Sequence, residues 1–201
     1  MRRIFAKGLL LGLLGLLAAS PAMAMVIGFQ PSAQTVSLGD SLTVNIFATL
    51  GSGEIVSAYD FDLSYDSSIM TATGVTFGTM LGDDALTDSD LRVSGVVDFA
   101  ALSFLSDDDL SALQSPFTSI VLASITFSTI SPGASLLQFI NYGVGGNDIK
   151  GAGNIPYDSP TLQPGSANVV DGAAPVPEPS TILLLGSGLL GMVGFGKRFR
   201  R

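Results

Sequence analysis

The 201-residue chain has no cysteine, no histidine and no tryptophan. Without thiols it forms no disulfide and has no cysteine nucleophile. Without imidazole it has neither a Ser-His-Asp relay nor the usual zinc ligands, because each needs a group that titrates or ligates as those two do. The missing tryptophan removes the ring best suited to stacking on sugars. Positive charge is scarce as well: between residues 25 and 176 only Arg92 and Lys150 are basic, against 16 acidic side chains, a net of −14. So acidic a segment repels phosphate backbones and anionic lipid, which excludes nucleic acid and leaves cations, neutral glycans or proteins as partners. Glu54 is the one glutamate of that segment. A glycosidase needs two carboxylates opposed across a cleft, one with a raised pKa, and an abundance of aspartate does not make such a pair. These absences point away from an enzyme.

What is present begins with an address. Arg2, Arg3 and Lys7 precede an apolar run from Leu9 to Ala19, followed by Pro21 and the small-residue triplet Ala22-Met23-Ala24. This order predicts a secretory signal peptide over residues 1–24, cleaved after Ala24. Eleven apolar residues fall short of the roughly 20 that span a bilayer.

The middle of the chain reads as strands. In "LTVNIFATL", Leu42, Val44, Ile46, Ala48 and Leu50 alternate with more polar residues; in "YDFDLSYD", Tyr59, Phe61, Leu63 and Tyr65 alternate with Asp60, Asp62, Ser64 and Asp66, whose face should be wet. Further β-rich runs lie at 74–77, 93–102, 120–130 and 136–144, with a weaker one at 167–170, separated by turn formers such as Gly51-Ser52-Gly53 and Pro132-Gly133. Short strands so spaced predict a β-sandwich. One helix is expected after Ser106 as N-cap, with Asp107, Asp108 and Asp109 on its positive end, Leu110 and Leu113 facing inward, and Pro116 beyond it.

The ordered stretches "SLGDSLTVNI", "SAYDFDLSYDSSIM" and "SIVLASITFSTISPGAS" resemble a cohesin-type domain. The resemblance runs over about residues 34–150 and is carried by Tyr65-Asp66 at a strand end and by Leu122 to Phe127. It implies an all-β, jelly-roll-like sandwich of about nine strands, occupying 25–150 with a last strand reaching to 171, that binds a protein or glycan through one sheet face and catalyses nothing. The same superfamily includes carbohydrate-binding modules, so a carbohydrate-binding or polysaccharide-degrading protein is the alternative. No cofactor is expected. Asp83, Asp84, Asp88 and Asp90, read as one loop, offer the hard oxygens that calcium prefers, although their spacing does not match an EF-hand.

Residues 151–176 are rich in Gly, Pro and Ser and read as a linker. Beyond them, Pro177, Glu178 and Pro179 hold one carboxylate in extended backbone, residues 181–196 are uncharged and include five glycines, and Lys197, Arg198, Arg200 and Arg201 close the chain. Sixteen uncharged residues make a marginal membrane helix, and the cationic end stays on the cytoplasmic side. The order Pro-Glu-Pro, apolar helix, basic tail resembles the PEP-CTERM sorting signal. That resemblance implies an exosortase as processing partner, cleavage near the motif, and passage through the inner membrane of a Gram-negative bacterium to the cell surface or extracellular matrix. The expected function is that of a secreted, non-catalytic surface or matrix adhesion protein.

Overall fold

The alternation converts directly into strands. β3 (Ser41–Thr49) buries Leu42, Val44, Ile46 and Ala48 and turns Ser41 and Thr43 to solvent, and β8 (Ser119–Thr129) buries Ile120, Leu122, Ile125 and Phe127. The computed structural model describes residues 25–141 and 147–172. Before β3 come β1 (Val26–Gln30) and β2 (Ala33–Ser37); after it come β4 (Ala58–Ser64), β5 (Met70–Phe77), β6 (Leu86–Asp90), β7 (Val96–Leu102) and α1 (Asp107–Gln114). β9 (Gly133–Ile140), β10 (Asp148–Lys150), β11 (Thr161–Leu162) and β12 (Gly165–Val170) follow β8.

Two sheets result. A five-stranded sheet has the order β11-β1-β3-β8-β5; a seven-stranded one runs β2-β12-β9-β4-β7-β6, with β10 also paired to β4. Their inner faces meet over Phe61, Phe99 and Phe127, all fully buried. The rings of Phe61 and Phe99 lie 6.0 Å apart and those of Tyr65 and Phe127 5.2 Å apart. Tyr59 crosses the core to donate its hydroxyl to the Leu122 carbonyl at 2.7 Å, which joins the two sheets and, through burial, raises the phenol pKa.

Four details differ from the sequence expectation. Twelve strands replace about nine: β1 and β2 precede the first run read as a strand, β10 and β11 are too short to show a period, and β6 is exposed along nearly its whole length. Residues 151–170, read largely as linker, supply β11 and β12; in β12 Gly165, Ala167 and Val169 point inward. On α1 the inward pair is Leu110 and Gln114, with Leu113 only half-buried. Gln114 Oε1 accepts the Val56 N–H, and its Nε2 donates to the Val56 and Met80 carbonyls, each at 2.8 Å, so a polar residue is stable inside. Finally, Asp62 is buried although it is on the outer side of β4; its N–H donates to Asn147 Oδ1 at 3.3 Å. The predicted α1 cap forms as expected: Ser106 Oγ accepts the Asp109 N–H at 3.2 Å.

Candidate binding face

Strand register gathers carboxylates that lie far apart in the chain. Asp148 of β10 stands opposite Asp60 of β4, Asp60 opposite Ala100 of β7, and Ala100 opposite Asp88 of β6. Two residues along, Asp62 faces Asp98 and Asp98 faces Asp90. Directly opposed residues of antiparallel strands share a sheet face, so six aspartates occupy two rows on the outer side of the seven-stranded sheet.

Two cations temper this face. Lys150 Nζ lies 3.7 Å from Asp148 Oδ2. Arg92, just past β6, grips Asp90, donating from Nη2 to Oδ2 at 2.6 Å and from Nε to Oδ1 at 2.9 Å. Those hydrogen bonds hold the Asp90 carboxyl down at about 2. The rest of the cluster moves the other way. Partial burial, then the charges of Asp62 and Asp148, raise Asp60 above the ordinary carboxylate range, with Lys150 pulling against them. Asp98 is raised by burial and by Asp62, Asp60, Asp88 and Asp90. Like charges directly opposed across strands destabilise a sheet, so folding alone gives no reason for this arrangement.

Between the carboxylates the small side chain of Ala100 leaves room. A cleft of about 430 Å³ opens there, lined by Asp60, Asp88, Asp148 and Lys150 together with Ala100 and Leu102. Apolar side chains in and near its lining are open to solvent: Leu86 in its wall is 60% exposed, and Phe104 and Ile155, close in the chain to its Leu102 and Asn154, are 68% and 67% exposed. Carboxylates beside exposed apolar side chains suit a protein interface that adds apolar burial to charge pairing.

The opposite outer face is unlike it. None of the five strands of the other sheet contains a charged residue. Its surface is hydroxyl and amide: Thr43 and Thr126 share a hydrogen bond at 3.1 Å, and Ser124 donates to Asn45 at 2.7 Å.

The residues singled out from sequence fall in different places. Asp83 and Asp84 sit in the turn before β6, whereas Asp88 and Asp90 lie on the strand itself and join the acidic face. Asp90 is engaged by Arg92, and among the described residues no three carboxylates converge closely enough to hold a metal ion. Ala24, Pro177, Glu178, Pro179 and the helix expected at 181–196 lie outside the described residues. Asp98 and Asp148, which complete the face, had no motif to mark them; the alternation Val97-Asp98-Phe99 was the available signal.

Two family models match the chain: a cohesin domain over residues 28–145 and the PEP-CTERM protein-sorting motif over 175–201. Among solved structures, the seventh type I cohesin of ScaB from Pseudobacteroides cellulosolvens superposes with a TM-score of 0.57 at 17% identity, over 76% of this chain and 96% of that one. The cohesin of a Clostridium thermocellum cohesin–dockerin complex gives 0.58 at 14%, over 74% and 100%. A non-cellulosomal cohesin from the archaeon Archaeoglobus fulgidus gives 0.53 at 14%, over 74% and 93%. No curated protein matches the chain.

Proposed function

Because this chain belongs to the cohesin family and carries a sorting motif at its end, we propose that it is an exported, non-catalytic module that docks a protein partner on the outer face of β4, β7 and β6. Cohesins are interaction modules, and several of the similar structures are complexes with dockerins. The observation that carries the reading is the segregation of charge: six aspartates on one sheet and no charged side chain on the strands of the other. A partner for this face presents basic side chains next to apolar ones. The first would neutralise Asp60, Asp88 and Asp98, and the second would cover Leu86, Leu102 and Phe104.

The route to the partner follows from the two ends. The signal peptide is removed after Ala24, the tail parks the protein in the inner membrane through residues 181–196, and an exosortase cuts near Pro177 to Pro179 and passes the domain to the cell surface or extracellular matrix. An adhesion role in that matrix is the outcome. A tag placed before residue 150, followed in cells with and without exosortase, tests the route; unchanged mass and location in both would leave a plain anchor.

Binding is tested by offering the producer's extracellular proteins to the wild type, to D60N/D88N/D98N and to T43E, the last on the neutral face. Wild type and T43E should retain the same protein, released by salt as exposed charge pairs are, and the triple variant should lose it. Equal capture by all three would sink the assignment of the face. A glycan array checks the carbohydrate alternative, and binding that survives the triple variant there would favour it.

A further inference from the structure

Among the described residues the two sheets end on β11, β5, β2 and β6, and three of these end strands carry features that discourage pairing with another chain. β11 is two residues long, between Pro160 and Pro164. β2 has five residues and begins two after Pro31. β6 carries Asp88 and Asp90. The fourth edge, β5, lacks any such guard. It is eight residues long, β8 is its one neighbour in the sheet, and neither a charged residue nor a proline occurs from Ser67 to Gly82. Its inward-facing Ala72, Val75 and Phe77 are half-buried, while their cross-strand partners Phe127, Ile125 and Ala123 are fully buried. That contrast fits an edge with nothing laid over it. The register shifts between Ala72 and Gly74, and the Tyr65 hydroxyl takes the Ala72 N–H at 3.3 Å, so the regular stretch open to a partner is residues 74–77.

We propose that β5 pairs antiparallel with β5 of a second copy of this chain, about a two-fold axis beside Val75, so that two five-stranded sheets become one of ten. Opposed residues must share a face, and centring on Val75 satisfies this: Val75 meets the partner's Val75 on the inner side, and Thr76 meets the partner's Gly74 on the outer side. The half-exposed Val75 and Phe77 are then covered. A second copy is the occupant because of charge. Two domains that each carry −14 over residues 25–176 repel one another, and an edge without charge, on the sheet whose strands hold none, is where they can meet without opposing carboxylates. An apolar cleft of about 370 Å³ at the end of β5, lined by Phe77, Met80, Phe117 and Val121, continues the uncharged surface. The pair leaves both acidic faces open, making one docking module bivalent.

The chain's lack of cysteine supplies the test. Full chain in mild detergent, carrying V75C, is oxidised beside S89C, the matching inward-facing exposed position on the guarded edge strand β6. Residues opposed across a strand pair lie within disulfide reach, so V75C should form a disulfide dimer roughly tenfold faster or more than S89C, as a held pair does over a diffusional one. Adding T76E, which sets two carboxylates diagonally across the seam at an exposed site, should slow V75C/T76E relative to V75C. Dimerisation through any other surface would not favour position 75 over 89. V75C cross-linking no faster than S89C, or a V75C/T76E rate unchanged from V75C, would overturn the proposal, and a preference of this edge for a strand from another protein would appear as the first of these.

Discussion

The two outer faces of the sandwich share one core and one chain yet differ in almost every surface property. On the β3, β8 and β5 side, hydroxyls satisfy each other: Thr43 bonds Thr126, Ser124 bonds Asn45, and Thr73 Oγ1 donates to the Thr126 carbonyl at 3.1 Å. On the β4, β7 and β6 side, carboxylates oppose one another, and two of them titrate above their ordinary range. The first face is what local sheet energetics favour, since cross-strand hydroxyl pairs stabilise and opposed like charges do not. The second departs from it. A site strained in this way, in a domain that otherwise follows the rules of strand patterning, marks where selection acts on something besides folding.

Both faces hang on one core, and the largest expected effect tests that. Phe61, fully buried, lies 6.0 Å from the ring of Phe99 and 5.3 Å from that of Phe139. Phe61→Ala should lower the unfolding free energy by about 3–5 kcal/mol in a denaturant titration, and partner capture by the acidic face should fall with the folded fraction. A variant that unfolds one sheet while the other stays intact would show the two faces to be separate.

A smaller effect asks whether the neutral face tolerates charge. Ser124 is half-buried and donates to Asn45 Oδ1. Ser124→Asp would remove that donor and set a carboxylate at a half-buried site, which Asn45 can meet only by turning its amide, at an expected cost of about 1–3 kcal/mol. The exposed Thr43→Glu should cost less than about 1 kcal/mol, since Glu is a poorer strand former than Thr but its carboxylate stays in water. Equal losses would mean that exclusion of charge, rather than hydrogen-bond pairing, rules this face.

Acid sharpens the contrast further. Asp60 and Asp98 are raised in the folded state, so the fold binds their protons more readily than the unfolded chain does, and stability should rise as pH falls from about 7 into the window just above about 4. Asp90 and Asp66 are lowered, by Arg92 and by Ser68, so their contribution is present above about 4 and disappears as pH falls toward about 2. Melting temperature against pH should therefore peak in mild acid. In D60N/D98N the rise on the neutral side should vanish while the fall at low pH stays; a monotonic curve in the wild type would contradict the coupling.

Much of the fold was legible in single strands. β3 buries every second residue, and β4 alternates aromatic or aliphatic residues with polar ones, so their period shows in the sequence. β6, "LTDSD", is exposed along nearly its whole length and has no period to read, while β10 and β11 pair over only three and two residues. The site was half legible: alternation put Asp60 and Asp62 on an outer face, but only the registers of β4 with β7 and β10, and of β7 with β6, bring Asp98, Asp88, Asp90 and Asp148 beside them. Those pairings join residues 60 and 148, a separation at which local pattern says nothing. Gln114 was missed for the opposite reason, because its partners are backbone groups of Val56 and Met80 that no side-chain pattern announces.

The smallest expected effect bears most closely on why the acidic face exists. Asp98 lies opposite both Asp62 and Asp90 and near Asp60 and Asp88. Asp98→Asn keeps shape and hydrogen-bonding capacity while removing the central charge, so four like-charge interactions weaken together. Charges opposed across strands are each worth only a fraction of a kcal/mol, and the melting temperature at neutral pH should rise by about 1–2 °C. Partner binding should move the other way, because the same charge that repels its neighbours attracts a basic side chain across the interface. Opposite signs for stability and binding from a single isosteric change are the mark of a face held in tension for function. A melting temperature that falls in D98N would mean that Asp98 has a stabilising partner in the free domain. Binding that is unchanged would move the docking site to other residues of the face, with Asp60, Asp88 and Asp148 around the cleft as the next to replace.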